Sequence, residues 1–196
     1  MDNELRVLVI GYGNPGRCDD GIGPALAARL ADLDLSGVRV ETNYQLNVED
    51  AETVAEHDVV VFIDACLCSP PPFYLRELEP RAGTLEFTTH SLAPDGVLGL
   101  AHDVFGARTR GFALAVRGYD FHDFGEVLSS EAQSNLDEAL AFLTGALRPG
   151  GELFLKLNPF LEGYDEKPLL ALFERLGAER NMPFVHFKAG RGLIPL

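Results

Sequence analysis

Apolar positions along this chain fall into two kinds of pattern, short continuous runs and stripes at helical spacing. Residues 5–10 (LRVLVI) are a run that stops at Gly11, as expected of a strand buried on both faces. A glycine-rich stretch, GYGNPGRCDDGIG, follows. Pro24 then suits the first turn of a helix whose Leu26, Leu30 and Leu33 lie along one face. Residues 38–42 (VRVET) alternate like a second strand, and Val48, Ala51, Val54 and Ala55 recur at helical spacing. Residues 58–63 (DVVVFI) predict a third, buried strand that delivers Asp64 at its C-terminal tip, and residues 84–89 (TLEFTT) a fourth that delivers His90 in the same manner. Pro94–Phe105 reads as a helix carrying Val97, Leu98, Leu100, Ala101 and Val104, and residues 112–116 (FALAV) as a fifth strand. A long helix follows. Ser130 with Gln133 has the form of a capping box, and Ala132, Leu136, Ala139, Leu140, Leu143 and Leu147 make the apolar stripe.

Strands alternating with helices predict an α/β fold in three layers, with a mostly parallel, twisted sheet of about five strands flanked by helices. Arg148-Pro149-Gly150-Gly151 is a turn-like breaker. Beyond it the pattern predicts a strand at residues 153–157, a helix at 168–176 stopped by Gly177 and a strand at 184–187, a C-terminal β-α-β-like extension. The division expected is therefore an α/β domain over residues 1–147 and an extension over 148–196 to which no motif assigns a role.

Charge sharpens that division. Residues 1–147 hold nine arginines and no lysine against 24 acidic residues, a balance of −15; residues 148–196 hold seven basic and six acidic residues, a balance of +1. The net charge of −14 argues against nucleic acid or an anionic membrane as partner, because the phosphate contribution to such binding would be repulsive. Three cysteines, an odd number, argue against a disulfide framework and fit a reducing compartment. No apolar run approaches the roughly 18 residues of a membrane span. The start, Met1-Asp2-Asn3-Glu4, is acidic where a secretory signal would be basic, so a cytoplasmic location is expected.

In open α/β sheets ligands bind beyond the carboxyl ends of the strands, near the point where strand order reverses. Asp19 and Asp20 follow the first strand, Asp64 the third and His90 the fourth. Converging there, Asp20, Asp64 and His90 would offer oxygen and nitrogen donors, and three protein ligands leave positions open for water or a substrate group. The set suits borderline divalent ions such as Ni²⁺ or Zn²⁺, and softness does not choose between them. Each residue also has a plainer role open to it. Asp20 could cap the next helix, Asp64 could close its strand as a turn residue, and His90 could be a hydrogen-bonded surface histidine.

Two other readings compete. Gly11, Gly13 and Gly16 satisfy G-x-G-x-x-G directly after a strand, the fingerprint of a dinucleotide-binding oxidoreductase, with Glu41 available to a ribose hydroxyl. Against this, Asp19 and Asp20 occupy the approach that a pyrophosphate needs. Cys18, Cys66 and Cys68 could approach one another as a Cys/His nucleophile site, although Cys66-Leu67-Cys68 lacks zinc-knuckle spacing and small half-buried thiols account for them as well.

Taken in order, GYGNPGRCDDGIGP, Asp64 in FIDAC, His90 in FTTHSLAPDGVLGLA, and GYDFHDFGEVLSSEAQ resemble the blocks of the hydrogenase maturation proteases over about residues 5–147. The G-x-G-N…D-[DE]-G-x-G block is the most specific of them. The resemblance implies an endopeptidase that removes the C-terminal extension of a [NiFe]-hydrogenase large-subunit precursor after nickel insertion. It implies metal contact by Asp20, where the family often carries Glu, and by Asp64 and His90. It also implies that the nickel is presented by the substrate, with other divalent metals able to occupy the site, and that the chain works as a monomer. A metal so held could polarise the scissile carbonyl or activate water, or it could only position the tail while Asp20 or Asp64 activates water. A non-catalytic nickel- or partner-binding maturation factor remains a further alternative. Residues 148–196 lie outside the resemblance.

Overall fold

The computed structural model of this chain describes residues 5–81 and 92–148. Strand β1 (Val7–Tyr12) leads through a 3-10 turn (Cys18–Gly21) into α1 (Ile22–Ala31), followed by β2 (Val38–Asn43), α2 (Asp50–Ala55), β3 (Val59–Cys66), β4 (Phe73–Leu78), α3 (Pro94–Phe105), β5 (Arg110–Arg117) and α4 (Ser130–Leu147). The sheet order is β2-β1-β3-β5-β4, parallel except for β4, which runs antiparallel to β5 at one edge. Helices α1 and α4 cover one face and α2 and α3 the other. Successive side chains of a strand point to opposite faces. Val7, Val9, Val59, Val61 and Ile63 therefore pack with Leu26, Leu30, Leu136 and Leu143, while Leu8, Ile10, Val60 and Phe62 pack with Val54, Val97, Leu98 and Ala101. This two-sided burial is why the central strands are continuous apolar runs.

The predicted three-layer α/β architecture holds, with three differences in detail. The strand predicted over residues 84–89 lies outside the described residues; the strand that flanks β5 is Phe73–Leu78, which the apolar pattern did not predict. That segment follows a run of three prolines and exposes Arg76 and Glu77, as an edge strand can, so its apolar signal is weak. The cap of α4 is Ser129 and not Ser130: Ser129 Oγ accepts from Ala132 N–H, and Gln133 turns its amide to Asp137 instead of back to the cap. Helix α1 ends at Ala31, so Leu33 is 42% exposed and leaves the predicted stripe. The predicted extension beyond Arg148 lies outside the described residues.

Helix α1 approaches the sheet glycine to glycine. A Cβ built on Gly11 of β1 would meet the Gly23 carbonyl oxygen at 2.2 Å and the Ala27 Cβ at 2.6 Å. Replacing Gly11 by alanine is expected to cost about 3 kcal/mol, high in the overpacking range, because the nearest obstacle is backbone and cannot rotate away. Urea unfolding measures this as a lowered midpoint at unchanged slope. A midpoint at the native value would mean that β1 and α1 separate without penalty.

The chain leaves β1 toward β2 on one side and returns through α2 to β3 on the other. Strand order thus reverses between β1 and β3, and their carboxyl ends flank the crevice where such folds bind ligands.

Candidate functional site

Asp64 lies inside β3, opposite Ala115 of β5. On its other side β1 pairs Gly11 with Ile63, which brings Tyr12 level with Asp64. The Tyr12 phenol lies near enough to the Asp64 carboxyl group to favour its ionised form, and Ala65 N–H donates to Asp64 Oδ1 at 2.8 Å. Burial pushes the Asp64 carboxyl up to about 6; the Tyr12 phenol and the Ala65 N–H hold it back, and the Asp20 carboxylate adds to the rise. Burial, then the Asp64 charge, likewise raise the Tyr12 phenol, which stays a protonated donor near neutrality. Asp20 reaches the same crevice from the loop after β1, where its Oδ2 accepts from Asn14 N–H at 3.1 Å.

Asp20 and Asp64 lie close enough for the charge of one to act on the other. His90, the third predicted donor, lies outside the described residues. Among the described residues no three His, Cys, Asp or Glu side chains form a metal-holding group. Tyr12 is the neighbour of Asp64 that strand-end reasoning missed. Its signal was its place as the last residue of β1, two residues past the apolar run and level with Asp64 in β3.

Asp19 and Asp20 are adjacent but do different work. Asp19 has 0% solvent exposure. Its Oδ2 accepts from Tyr119 N–H (2.8 Å), Asp120 N–H (2.9 Å) and Ser129 Oγ (2.7 Å), and its Oδ1 accepts from Ser129 N–H (2.7 Å). Burial raises its pKa, but the backbone donors of Asp120, Ser129 and Tyr119 together outweigh burial and hold the carboxyl below its usual range. Asp19 is thus a fixed anion that fastens the loop between β5 and α4 to the loop after β1. Backbone bonds complete the fastening: Cys18 N–H donates to Gly125 O at 2.7 Å and Gly125 N–H to Gly16 O at 3.0 Å.

The glycine loop is closed on itself. Gly13 N–H donates to Asn43 O, Asn14 to Asp20 Oδ2, Gly16 to Asn14 Oδ1, Arg17 to Asn14 O, Cys18 to Gly125 O, Asp19 to Asp120 O and Asp20 to Arg17 O. With Pro15 lacking a donor, every backbone N–H from Gly13 to Asp20 is used inside the protein. A pyrophosphate would find no free amide there, so the dinucleotide reading is not favoured. Gly13 has φ +139 and faces the Asp20 carbonyl, where a Cβ would approach to 2.1 Å; its role is to let the loop fold. The nucleophile reading also weakens. Burial pushes the Cys18 thiol up, and Asp120, Asp123 and Asp19 push it the same way, against thiolate formation. The imidazoles of His57 and His102 bond the carbonyls of Thr53 and Thr109.

No protein-family model matches the chain, and no curated protein sequence matches it. Solved structures do. A [NiFe] hydrogenase maturation protease HycI from Thermococcus kodakarensis KOD1 superposes with a TM-score of 0.56 at 19% identity, covering 72% of this chain and 92% of that one. A hydrogenase 2 maturation peptidase from Thaumarchaeota archaeon SCGC_AB-539-E09 gives 0.55 at 24% identity, over 72% and 97%. The hydrogenase maturating endopeptidase HybD from E. coli gives 0.53 at 20% identity, over 75% and 94%. At these identities the likeness is one of fold.

Proposed function

We propose that this chain is a hydrogenase maturation endopeptidase, which removes the C-terminal extension of a [NiFe]-hydrogenase large-subunit precursor once nickel is in place. The observation that carries the reading is the meeting of Asp20 and Asp64 at the reversal point between β1 and β3, in a fold shared with structures named as maturation proteases. The closed glycine loop removes the main competing use of the same crevice.

The donor chemistry fits a divalent ion: the carboxylates of Asp20 and Asp64 with the His90 imidazole would hold the nickel that the substrate carries, and other divalent metals could take its place. An ion so held would supply positive charge that polarises a carbonyl or lowers the pKa of water. The chain's own groups do the rest. Above pH 6 the Asp64 carboxylate accepts a proton from the water that attacks the carbonyl carbon, and returns it to the departing peptide amine. Ala65 N–H holds that carboxylate in place beside the Tyr12 phenol, and Asn14 N–H holds Asp20. The reading carries with it a cytoplasmic monomer whose partner is a protein, not nucleic acid or membrane; the net charge of −14 supports the choice of partner. No helix of the described residues is long and apolar enough to cross a membrane.

Incubation with a nickel-loaded large-subunit precursor, followed by mass spectrometry, tests the reading. The native chain is expected to shorten the precursor at its C-terminus, and His90→Ala and Asp64→Ala are expected to leave it intact. Variants that cut at the native rate would break the site assignment. A native chain that binds the precursor without shortening it would leave the non-catalytic maturation factor as the better account.

A further inference from the structure

The loop that Asp19 fastens displays apolar side chains to solvent. Phe124 is 84% exposed and Val127 80%, with the Arg17 guanidinium 5.2 Å over the Phe124 ring. Beside them runs a groove of about 320 Å³ lined mainly by Pro15, Cys18, Pro24, Ala25, Ala28 and Leu128, with Glu126 as its charged member. Its volume sits at the small end of the roughly 300–1,000 Å³ of ligand clefts, and its lining offers few polar groups to orient a small polar ligand. Neither Asp20, Asp64 nor Tyr12 lines it, although Gly21 and Thr42 do, so the groove adjoins the crevice from the α1 side without containing its acids.

Three properties identify what would fill it. Exposed apolar groups beside an apolar groove mark an interaction site. The loop is held by seven hydrogen bonds before any partner arrives: four to the Asp19 carboxylate, the Asp19 amide to Asp120, and two through Gly125. Docking therefore carries little ordering cost. Residues 118–131 contain Asp120, Asp123, Glu126 and Glu131 and no lysine or arginine. Glu126 lines the groove, and with Asp120, Asp123 and Glu131 nearby in the chain against the Arg17 guanidinium over Phe124, the balance around the apolar centre is acidic and complements an apolar side chain with basic neighbours.

We propose that this groove docks the protein substrate through an apolar side chain flanked by lysine or arginine, at a point apart from the bond that is cut. The proposal rests on the endopeptidase reading for the identity of the substrate, but docking can be measured without cleavage. Three variants of the full chain test it. Ala28→Trp fills the groove from an exposed helix position, and Glu126→Lys reverses its charged edge. Glu79→Lys makes the same change in net charge just after β4, at the opposite end of the sheet. With the nickel-loaded precursor, Ala28→Trp and Glu126→Lys are expected to raise KM about tenfold at unchanged kcat, the size of a single interface hot spot, while Glu79→Lys stays at the native value. The same KM in all four chains overturns the groove and leaves the endopeptidase reading standing. If the native chain cuts no precursor, that reading falls and the groove is judged by fluorescence anisotropy with a labelled Lys-Arg-Leu-Phe-Leu-Arg-Lys peptide. There the expected result is the same order of affinities, and equal affinity in all four chains, or no binding, overturns it.

Discussion

Asp19→Ala is expected to lose about 3–5 kcal/mol of folding stability, the scale for stripping the charged partner from a buried polar cluster. The variant leaves the N–H groups of Tyr119, Asp120 and Ser129 facing a cavity, and removes the acceptor of Ser129 Oγ. A loss of that size is a large share of the roughly 5–15 kcal/mol that holds a domain together. The pH dependence identifies the cause. Asp19 is depressed in the folded chain, so its contribution is fully present above the ordinary carboxylate value of 3.8 and fades as pH falls through its folded pKa. The gap between native and variant chains, measured by urea unfolding, should therefore be widest near neutrality and close in strong acid. A gap that is small at pH 7, or constant down to pH 2, would mean that the carboxylate does not carry the loop.

Asp64→Asn is expected to act in the opposite sense on stability while abolishing cleavage. Burial raises the Asp64 carboxyl from 3.8 to about 6, so the folded chain holds a proton that the unfolded chain releases between those values. Below pH 4 both states are protonated and asparagine gains nothing. Through the window from 4 to 6 the native chain loses stability relative to the variant. Above 6 the variant should be more stable by about 2–3 kcal/mol, the worth of a two-unit shift. For the same reason kcat/KM of the native chain should fall as pH drops through about 6, well above an ordinary aspartate limb. Thermal unfolding across pH 4–8 checks the first statement and a pH–rate profile the second. A stability difference that does not vary with pH would remove the idea that function keeps a strained carboxylate in place.

The parts of this site that could be read from sequence were those fixed by local pattern. Apolar runs ending at Gly11 and Ile63 placed the loop after β1 and Asp64 at strand ends, and alternation of elements gave the layers. What escaped depended on distant segments. Asp19 and Asp20 look alike in sequence, and only residues about 100 positions away decide that Asp19 is the anchor and Asp20 the rim. The cap of α4 moved from Ser130 to Ser129 because the Ser129 amide and hydroxyl are both committed to Asp19. The G-x-G-x-x-G pattern misled for a related reason: glycine spacing shows where backbone comes close, and the Gly11–Gly23 contact uses that closeness for helix packing instead of phosphate.

The fastening of Asp19 also sets when the site can exist during synthesis. A chain extended to residue 128 already contains Asp20, Asp64 and His90, yet it lacks Ser129, which supplies two of the four donors to Asp19 and the cap of α4. The loop after β1 and the first turn of α4 therefore take their final form together, as one cooperative unit. A growing or truncated chain that stops short of α4 carries Asp20 and Asp64 with only two of the four donors that hold Asp19, so the candidate site and the complete domain take shape together.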